Sequence, residues 1–398
     1  MQARDERKLL ALVAAALSLQ PLSTDLYLPS LPPLAREFGV APGLVQHTLT
    51  VFVIGFGLAQ LVAGPLSDRI GRRPVVLGGS LLFTLASVLC AAANSLPTLM
   101  VGRGLQALGC CAVVVAARAV VRDRCSPAEG ARLLSRASTW LALAPLLGPI
   151  VGGQAQQHLG WQAAFALQAV LALGLLLAWR AEFEESNLKM DPEALGPRRL
   201  ARAYLDVALH AGFRAYALPS ALTYGAIFVF IAGSSFAYID VLGVSSARYG
   251  ALFSLGVSGY LLGTMLCRAL LRRFAVDRVL RAGLALTATG GVGLWACVHA
   301  GLGSVAVVLG AQFVVMLAHG INQPCAQASA LGPFGARAGT AAGLLGFLTM
   351  AVALATGALF AGLQEDSLRP LANLSALVGL LALASGTAIT RARGTLGT

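Results

Sequence analysis

Charged side chains stand inside the long apolar stretches of this 398-residue sequence, among them Asp25 in the first stretch and Arg103 in the fourth. Stretches of about 20 apolar residues are long enough to cross a lipid bilayer as helices. A charge at that depth is costly, so it faces a cavity or the protein interior. Desolvation there favours the neutral form of an acid, which makes Asp25 a candidate proton carrier. The alternative is that Asp25 lies hydrated at the membrane surface, before a turn formed by Pro29, Pro32 and Pro33.

The guanidinium of Arg103 must find hydrogen-bond acceptors if it is buried. Gln106 follows three residues later, on the same face of the expected helix. Two interpretations remain open at this point. Arg103 modulates the protonation of Asp25, directly or through Gln106, or it ties down backbone carbonyls of a neighbouring broken helix.

The composition indicates that lipid, rather than water, surrounds most of the chain. Hydrophobic residues make up 57% of the sequence and charged residues 12%, where a soluble domain carries about 25% charge. The seven cysteines show no metal-ligand spacing. Neither a phosphate-binding glycine loop nor a nucleophile–base constellation occurs. We therefore predict a membrane protein that needs no metal or cofactor and is neither an ATP-driven pump nor an enzyme.

The apolar runs predict twelve membrane-spanning helices in two sets of six, separated by a polar segment. This pattern predicts an all-α integral membrane protein built from two pseudo-symmetric six-helix bundles, residues 1–180 and 212–398, joined by a cytoplasmic linker at 181–211. The predicted spans are 9–30, 43–65, 74–94, 97–121, 132–156, 161–180, 212–239, 248–271, 276–299, 303–328, 336–362 and 369–390.

The net charge of +12 is unevenly distributed along the chain. Most of the 29 Lys and Arg residues fall in the two termini and in alternate loops, which the positive-inside rule places in the cytoplasm. The distribution predicts cytoplasmic termini and contact with a lipid bilayer rather than with nucleic acid. The exceptions are Arg103 and Arg118 within spans and Arg36, Arg248 and Arg369 in the opposite loops.

The basic segment 64–73, between the second and third predicted spans, resembles motif A of the major facilitator superfamily, G-x-L-x-D-R-x-G-R-R. The resemblance implies a major facilitator fold and a tight cytoplasmic loop that takes part in gating. It also implies that Asp123, at the end of the fourth span, is an acidic partner of the loop arginines. The defining positions are Gly64, Asp68, Arg69, Gly71, Arg72 and Arg73.

Two further stretches resemble motifs of the same superfamily. Arg103, Gln106 and Gly109 match motif B, R-x-x-Q-x-x-G, whose arginine is associated with proton-coupled members. Residues 144–153 resemble motif C, which is characteristic of exporters, although Ala144 replaces its first glycine. A kink at proline and close packing through glycines are the physical content of motif C. Its positions here are Gly148, Pro149, Gly152 and Gly153.

The stretches 23–32 and 228–238 resemble the first and seventh spans of the Bcr/CflA drug-resistance transporters. In that family the aspartate at the position of Asp25 serves substrate binding and proton coupling. The resemblance implies a monomeric transporter in the bacterial inner membrane that exchanges protons for small, mostly apolar antimicrobial compounds such as phenicols, bicyclomycin or sulfonamides. Asp240 is a possible second proton site. The candidate cavity residues are Tyr27, Gln106, Phe230, Phe236, Tyr238 and Asn322.

Two other classes of transport protein are alternatives to drug efflux. A proton-coupled exporter of a natural metabolite, such as an amino-acid derivative, a purine or a sugar, is barely distinguishable by sequence. The breadth of compounds to which expression confers tolerance would separate the two. A passive channel fits poorly, because the chain lacks a filter sequence and shows two repeated halves.

Overall fold

The computed structural model describes residues 3–141, 143–188, 190–363 and 367–396. These residues form α-helices joined by turns and by short 3₁₀ and π segments. The helices of this part of the chain are α1 (Ala3–Asp25), α2 (Leu31–Glu37), α3 (Pro42–Ile70), α4 (Arg72–Ala91), α5 (Leu96–Arg124), α6 (Pro127–Leu141), α7 (Leu143–Leu159), α8 (Gln162–Glu182), α9 (Pro197–Leu209), α10 (Ala211–Phe236), α11 (Ser246–Leu271), α12 (Val276–His299), α13 (Val305–Leu331), α14 (Ala338–Gly362) and α15 (Arg369–Leu396).

Eleven helical segments among the described residues are long and apolar enough to cross a membrane. The predicted all-α membrane architecture is confirmed. The fifth predicted span, 132–156, falls on α6 and α7, and residue 142 between them lies outside the described residues.

The end of the first predicted span differs from the structure. Helix α1 stops at Asp25, and a 3₁₀ turn at Leu28–Ser30 leads into α2. Pro32 and Pro33 fall in the first turn of α2, where a missing backbone N–H costs no helical hydrogen bond. A helix therefore resumes at Leu31, and the candidate membrane-spanning segment continues past the prolines to Glu37.

The basic segment 64–73 is almost entirely helical, and the turn is tighter than the loop that we predicted. Helix α3 continues to Ile70 and α4 begins at Arg72, so that only Gly71 separates them. The φ angle of Gly71 is 98°, a left-handed conformation that glycine adopts without steric cost. A Cβ atom at this position would also lie 2.5 Å from Oε2 of Glu185. The turn therefore requires glycine on two independent grounds.

The chain divides into two compact units. The first comprises Met1–Ser30 and Val51–Arg202, and the second comprises Leu31–Thr50 and Ala203–Thr398. In the first unit α4 packs on α5 and α8, while α1 packs on α5, α6 and α7. In the second unit α13 packs on α11 and α12, and α10 packs on α13, α14 and α15. The bundle boundaries at 180 and 212 stay a prediction.

Residues 31–50 join the second unit through polar contacts. Nη1 of Arg36 pairs with Oδ1 of Asp240 at 2.7 Å. The buried amide of Gln46 donates to the carbonyl oxygen of Ala232 at 2.9 Å. The possible second proton site, Asp240, is thus an ion-paired residue in this structure.

Candidate functional site

Asp25 is the last residue of α1 and is buried, with 4% of its surface exposed. Oδ1 of its carboxylate accepts a hydrogen bond of 2.9 Å from Oγ1 of Thr24. The structure gives it no ion-pair partner among the described residues. Asp25 is therefore a buried acid, and the hydrated surface position considered above does not apply.

Helix α7 packs against the end of α1 through two glycines. A Cβ atom on Gly148 would lie 3.4 Å from Cβ of Asp25. A Cβ atom on Gly152 would overlap the carbonyl oxygen of Leu26 and lie 2.8 Å from its carbonyl carbon. Small residues permit such close helix approach in membranes. The predicted motif C positions, which are buried in α7, are Gly148, Pro149, Gly152 and Gly153.

Arg103 is fully buried in α5. Its Nη1 donates to the carbonyl oxygen of Ser23 at 3.0 Å and to Oε1 of Gln106 at 2.8 Å. Its Cζ lies 4.4 Å from the ring centre of Phe52, within the range of a cation–π interaction. Nε and Nη2 make no hydrogen bond within the described part of the chain. Arg103 thus binds the backbone two residues before Asp25 and does not pair with that carboxylate.

Gln106 extends this contact into a network that sequence reasoning captured only in part. Its Nε2 donates to Oγ of Ser87 at 2.7 Å and to Oε1 of Gln168 at 3.0 Å. Nε2 of Gln168 donates back to the carbonyl oxygen of Leu22 at 3.4 Å. The network connects α1, α4, α5 and α8. A glutamine in the otherwise apolar span of α8 was the signal that could have identified Gln168.

The predicted cavity residues occupy both units. Tyr27 is buried in the first unit, with its ring centre 4.9 Å from that of Phe165. Phe236, in the second unit, lines a cavity of about 380 Å³. Nδ2 of Asn322 donates to Oγ1 of Thr287 at 3.1 Å. Phe230 and Tyr238 are fully buried in the same unit. Contact of these residues with a substrate stays a prediction.

Arg72 is the centre of a second cluster, at the turn between α3 and α4. Its side chain is 3% exposed. Nη1 pairs with Oδ1 of Asp68 at 2.6 Å and bonds Oγ of Ser67 at 3.0 Å, while Nε bonds Oδ2 of Asp123 at 2.8 Å. The predicted acidic residues do flank an arginine of the turn. Arg69 is exposed.

Comparison with known proteins assigns the family. The sequence pattern of the Major Facilitator Superfamily matches residues 13–388. The chain belongs to this superfamily. It is 30% identical to a bicyclomycin resistance protein homolog of Haemophilus influenzae, over 89% of this chain and 88% of that protein. It is 27% identical to multidrug resistance protein D of Escherichia coli, over 94% and 93%.

A third relative and two solved structures agree with this assignment. A chloramphenicol resistance protein of Pseudomonas aeruginosa is 31% identical, over 71% of this chain and 68% of the relative. A peptide transporter in complex with sulfate superimposes with a TM-score of 0.75 at 17% identity, over 98% and 95%. A D-xylose–proton symporter gives 0.73 at 15% identity, over 94% and 96%. The Bcr/CflA resemblance and the major facilitator fold are confirmed, and the protein is a multi-pass membrane transporter, not an enzyme.

Arg103→Lys distinguishes the two interpretations of Arg103. Lysine keeps the charge but lacks the guanidinium whose Nη1 donates to both Ser23 and Gln106. We expect the variant to be less stable by about 1–3 kcal/mol and to keep the wild-type pH dependence of transport. Thermal unfolding and transport across a pH series measure the two effects. The matched control is Arg118→Lys, at an exposed arginine of the same helix; a shifted pH profile at wild-type stability would instead favour modulation of Asp25.

Proposed function

We propose that this transporter exports small, mostly apolar antimicrobial compounds in exchange for protons. The observation that carries the proposal is the environment of Asp25, a buried carboxylate at the end of α1 whose side-chain partner among the described residues is Thr24. An acid at membrane depth without a cationic partner releases its proton only when its surroundings admit water or a competing ligand. Asp25 is therefore suited to carry one proton per transport cycle.

The chemical class of the substrate rests on the relatives. Three of them are named for resistance to bicyclomycin, to chloramphenicol or to several drugs. The rings of Tyr27, Phe52 and Phe165 are buried around Arg103 in this structure. Where alternating access opens this region, they would give the cavity an apolar lining with a few polar groups, which is typical of small-molecule sites. We extend the proposal to phenicols, bicyclomycin and sulfonamides.

The proposed mechanism is alternating access of a central cavity between two six-helix bundles, 1–180 and 212–398. While the cavity is open to the cytoplasm, drug binds and Asp25 releases its proton. While it is open to the outside, protonation of Asp25 favours release of the drug, and the proton returns inward with the empty carrier. Drug and proton therefore compete, and their binding must be negatively coupled.

The proposed membrane orientation follows from the basic residues. The cluster of Arg72 and its neighbours lies at the cytoplasmic surface, as do both termini. The protein would reside in the bacterial inner membrane and work as a monomer, because two bundles of one chain suffice to enclose a path. No cofactor is required when the proton gradient supplies the energy.

Drug-driven proton movement in proteoliposomes tests the proposal. Purified protein is reconstituted with an imposed pH gradient, and chloramphenicol, florfenicol, bicyclomycin and a sulfonamide are added in turn. We expect at least one drug to move protons, with protein-free liposomes as the control. Transport of a drug without proton movement would refute the coupling. A lack of response to all four drugs would instead favour export of a natural metabolite.

A further inference from the structure

The carboxylate of Glu185 accepts hydrogen bonds from four backbone N–H groups, two of which belong to the first turn of α4. Oε1 accepts hydrogen bonds from Arg72 at 2.9 Å, Ser186 at 2.9 Å and Asn187 at 2.8 Å. Oε2 accepts one from Arg73 at 2.9 Å. Glu185 lies in the coil that follows α8, in the segment that the sequence analysis assigned only as a linker. No motif of the superfamily described above includes it.

The start of α4 needs such an acceptor. The first N–H groups of a helix have no partner within the helix and attract negative charge. The residue before α4 is Gly71, which provides no side-chain cap. Glu185 supplies the missing acceptor from a position 113 residues away in sequence. A side chain at Gly71 would occupy the space of this carboxylate.

The charge state of Glu185 agrees with this contact. Burial alone would raise the pKa of Glu185, but the hydrogen bonds from Asn187, Arg73, Arg72 and Ser186 outweigh it and lower the pKa below the ordinary glutamate value of 4.5. A lowered pKa means that the folded state binds the charged form more favourably. The stabilisation is therefore present above pH 4.5 and is lost as the pH falls through the lowered pKa.

The same short segment also holds the two acids that flank Arg72. Nδ2 of Asn187 and the backbone N–H of Asp191 donate to the carbonyl oxygen of Asp68, at 3.1 and 3.0 Å. Oγ of Ser186 bonds Oδ2 of Asp123 at 3.3 Å. The start of the linker is therefore bonded to Arg72, Asp68 and Asp123 and is not a free tether.

We propose that Glu185 is a positioning residue of the cytoplasmic gate. It fixes the first turn of α4 and so holds Arg72 between Asp68 and Asp123. This inference rests on the proposed transport function, because a gate has meaning only in a transport cycle. The loss of its carboxylate slows the conformational steps of the cycle and leaves the affinity for drug unchanged.

Glu185→Gln tests the inference, and Glu184→Gln is the matched control. The side chain of Glu184 is exposed, and its contact among the described residues is a hydrogen bond that its backbone oxygen accepts from Arg124. Hydrogen–deuterium exchange of peptides covering 70–76 measures the cap without any transport assay. We expect about tenfold or faster exchange in Glu185→Gln, since hydrogen bonds to a charged group are the strong ones, and wild-type exchange in the control.

Chloramphenicol binding and transport measure the consequence for gating. We expect Glu185→Gln to bind the drug with wild-type affinity and stoichiometry, while its maximal transport rate falls about fivefold or more, as for a slowed closure step. A lower drug-binding stoichiometry would show that the substitution damages folding only, and it would overturn the positioning role. Faster hydrogen–deuterium exchange with an unchanged maximal transport rate would also overturn it. Unchanged exchange would overturn the cap itself. If the wild type does not exchange drug for protons, the proposed function is wrong. The hydrogen–deuterium exchange data still test the contact of Glu185 with α4 in that case.

Discussion

Asp25→Asn is expected to reduce drug-driven proton movement in proteoliposomes to the level of protein-free liposomes. An asparagine side chain cannot release a proton, so the exchange of drug for proton loses its carrier. The substitution preserves shape, and Oγ1 of Thr24 can still donate to the amide oxygen as it does to Oδ1 of Asp25. We therefore expect normal expression and thermal stability. Drug binding at low pH, where the wild-type acid is also neutral, measures whether the site itself survives, because the variant and the wild type should then bind alike.

Asp240→Asn provides the comparison for this result. Asp240 pairs with Arg36 at 2.7 Å, and a carboxylate held by a guanidinium is less suited to cycle its proton. We expect this variant to keep drug-dependent proton movement. The proposal for Asp25 is wrong if Asp25→Asn exports drug with an unchanged dependence on the pH gradient. Loss of coupling in Asp240→Asn alone would transfer the role to that acid.

Gly152→Ala is expected to destabilise the protein by about 1–3 kcal/mol and to impair transport strongly. The added Cβ would overlap the carbonyl oxygen of Leu26 and lie 3.1 Å from its Cα. The contact is with backbone, which cannot rotate away as a side chain can, so α7 must move from the end of α1 that carries Asp25. Thermal unfolding in detergent and drug-dependent proton movement measure the two effects.

Gly174→Ala isolates the effect of the close approach. Gly174 lies in α8, and a Cβ there meets no atom within 4 Å. Alanine is favoured over glycine in a helix by roughly 0.5–1 kcal/mol, so this variant should be as stable as the wild type or more so. Equal behaviour of Gly152→Ala and Gly174→Ala would contradict the packing of α7 on α1 that we describe.

Local sequence features determined which side chains are buried, but not which atoms they contact. Apolar flanks were sufficient to predict that Asp25 and Arg103 are buried, because apolar neighbours in sequence place them at membrane depth. A charged side chain at that depth faces the protein interior or a cavity. A guanidinium reaches acceptors in several directions, so the sequence left two interpretations open. The carbonyl of Ser23 became the partner through the packing of α5 on α1, which no local pattern encodes.

Two further features escaped prediction for related reasons. Glu185 lies among other charged linker residues and is distinguished only by a contact with a helix 113 residues away. The position of the turn at Gly71 was predicted, but its length was not. A basic segment can extend a helix as easily as it can interrupt one, because arginine is a good helix former.

The assignment of residues 31–50 to the second unit has a consequence for dissecting the protein. A gene divided near codon 203 would encode a carboxyl-terminal fragment that lacks the partners of Asp240 and Ala232, namely Arg36 and Gln46. The same fragment would expose the part of α14 around Ala361, which packs closely on Gly43. A Cβ atom on Gly43 would lie 2.7 Å from the carbonyl oxygen of Ala361. The two halves of the coding sequence are thus not the two compact units, and a co-expressed amino-terminal fragment would have to supply residues 31–50 before the second unit became complete.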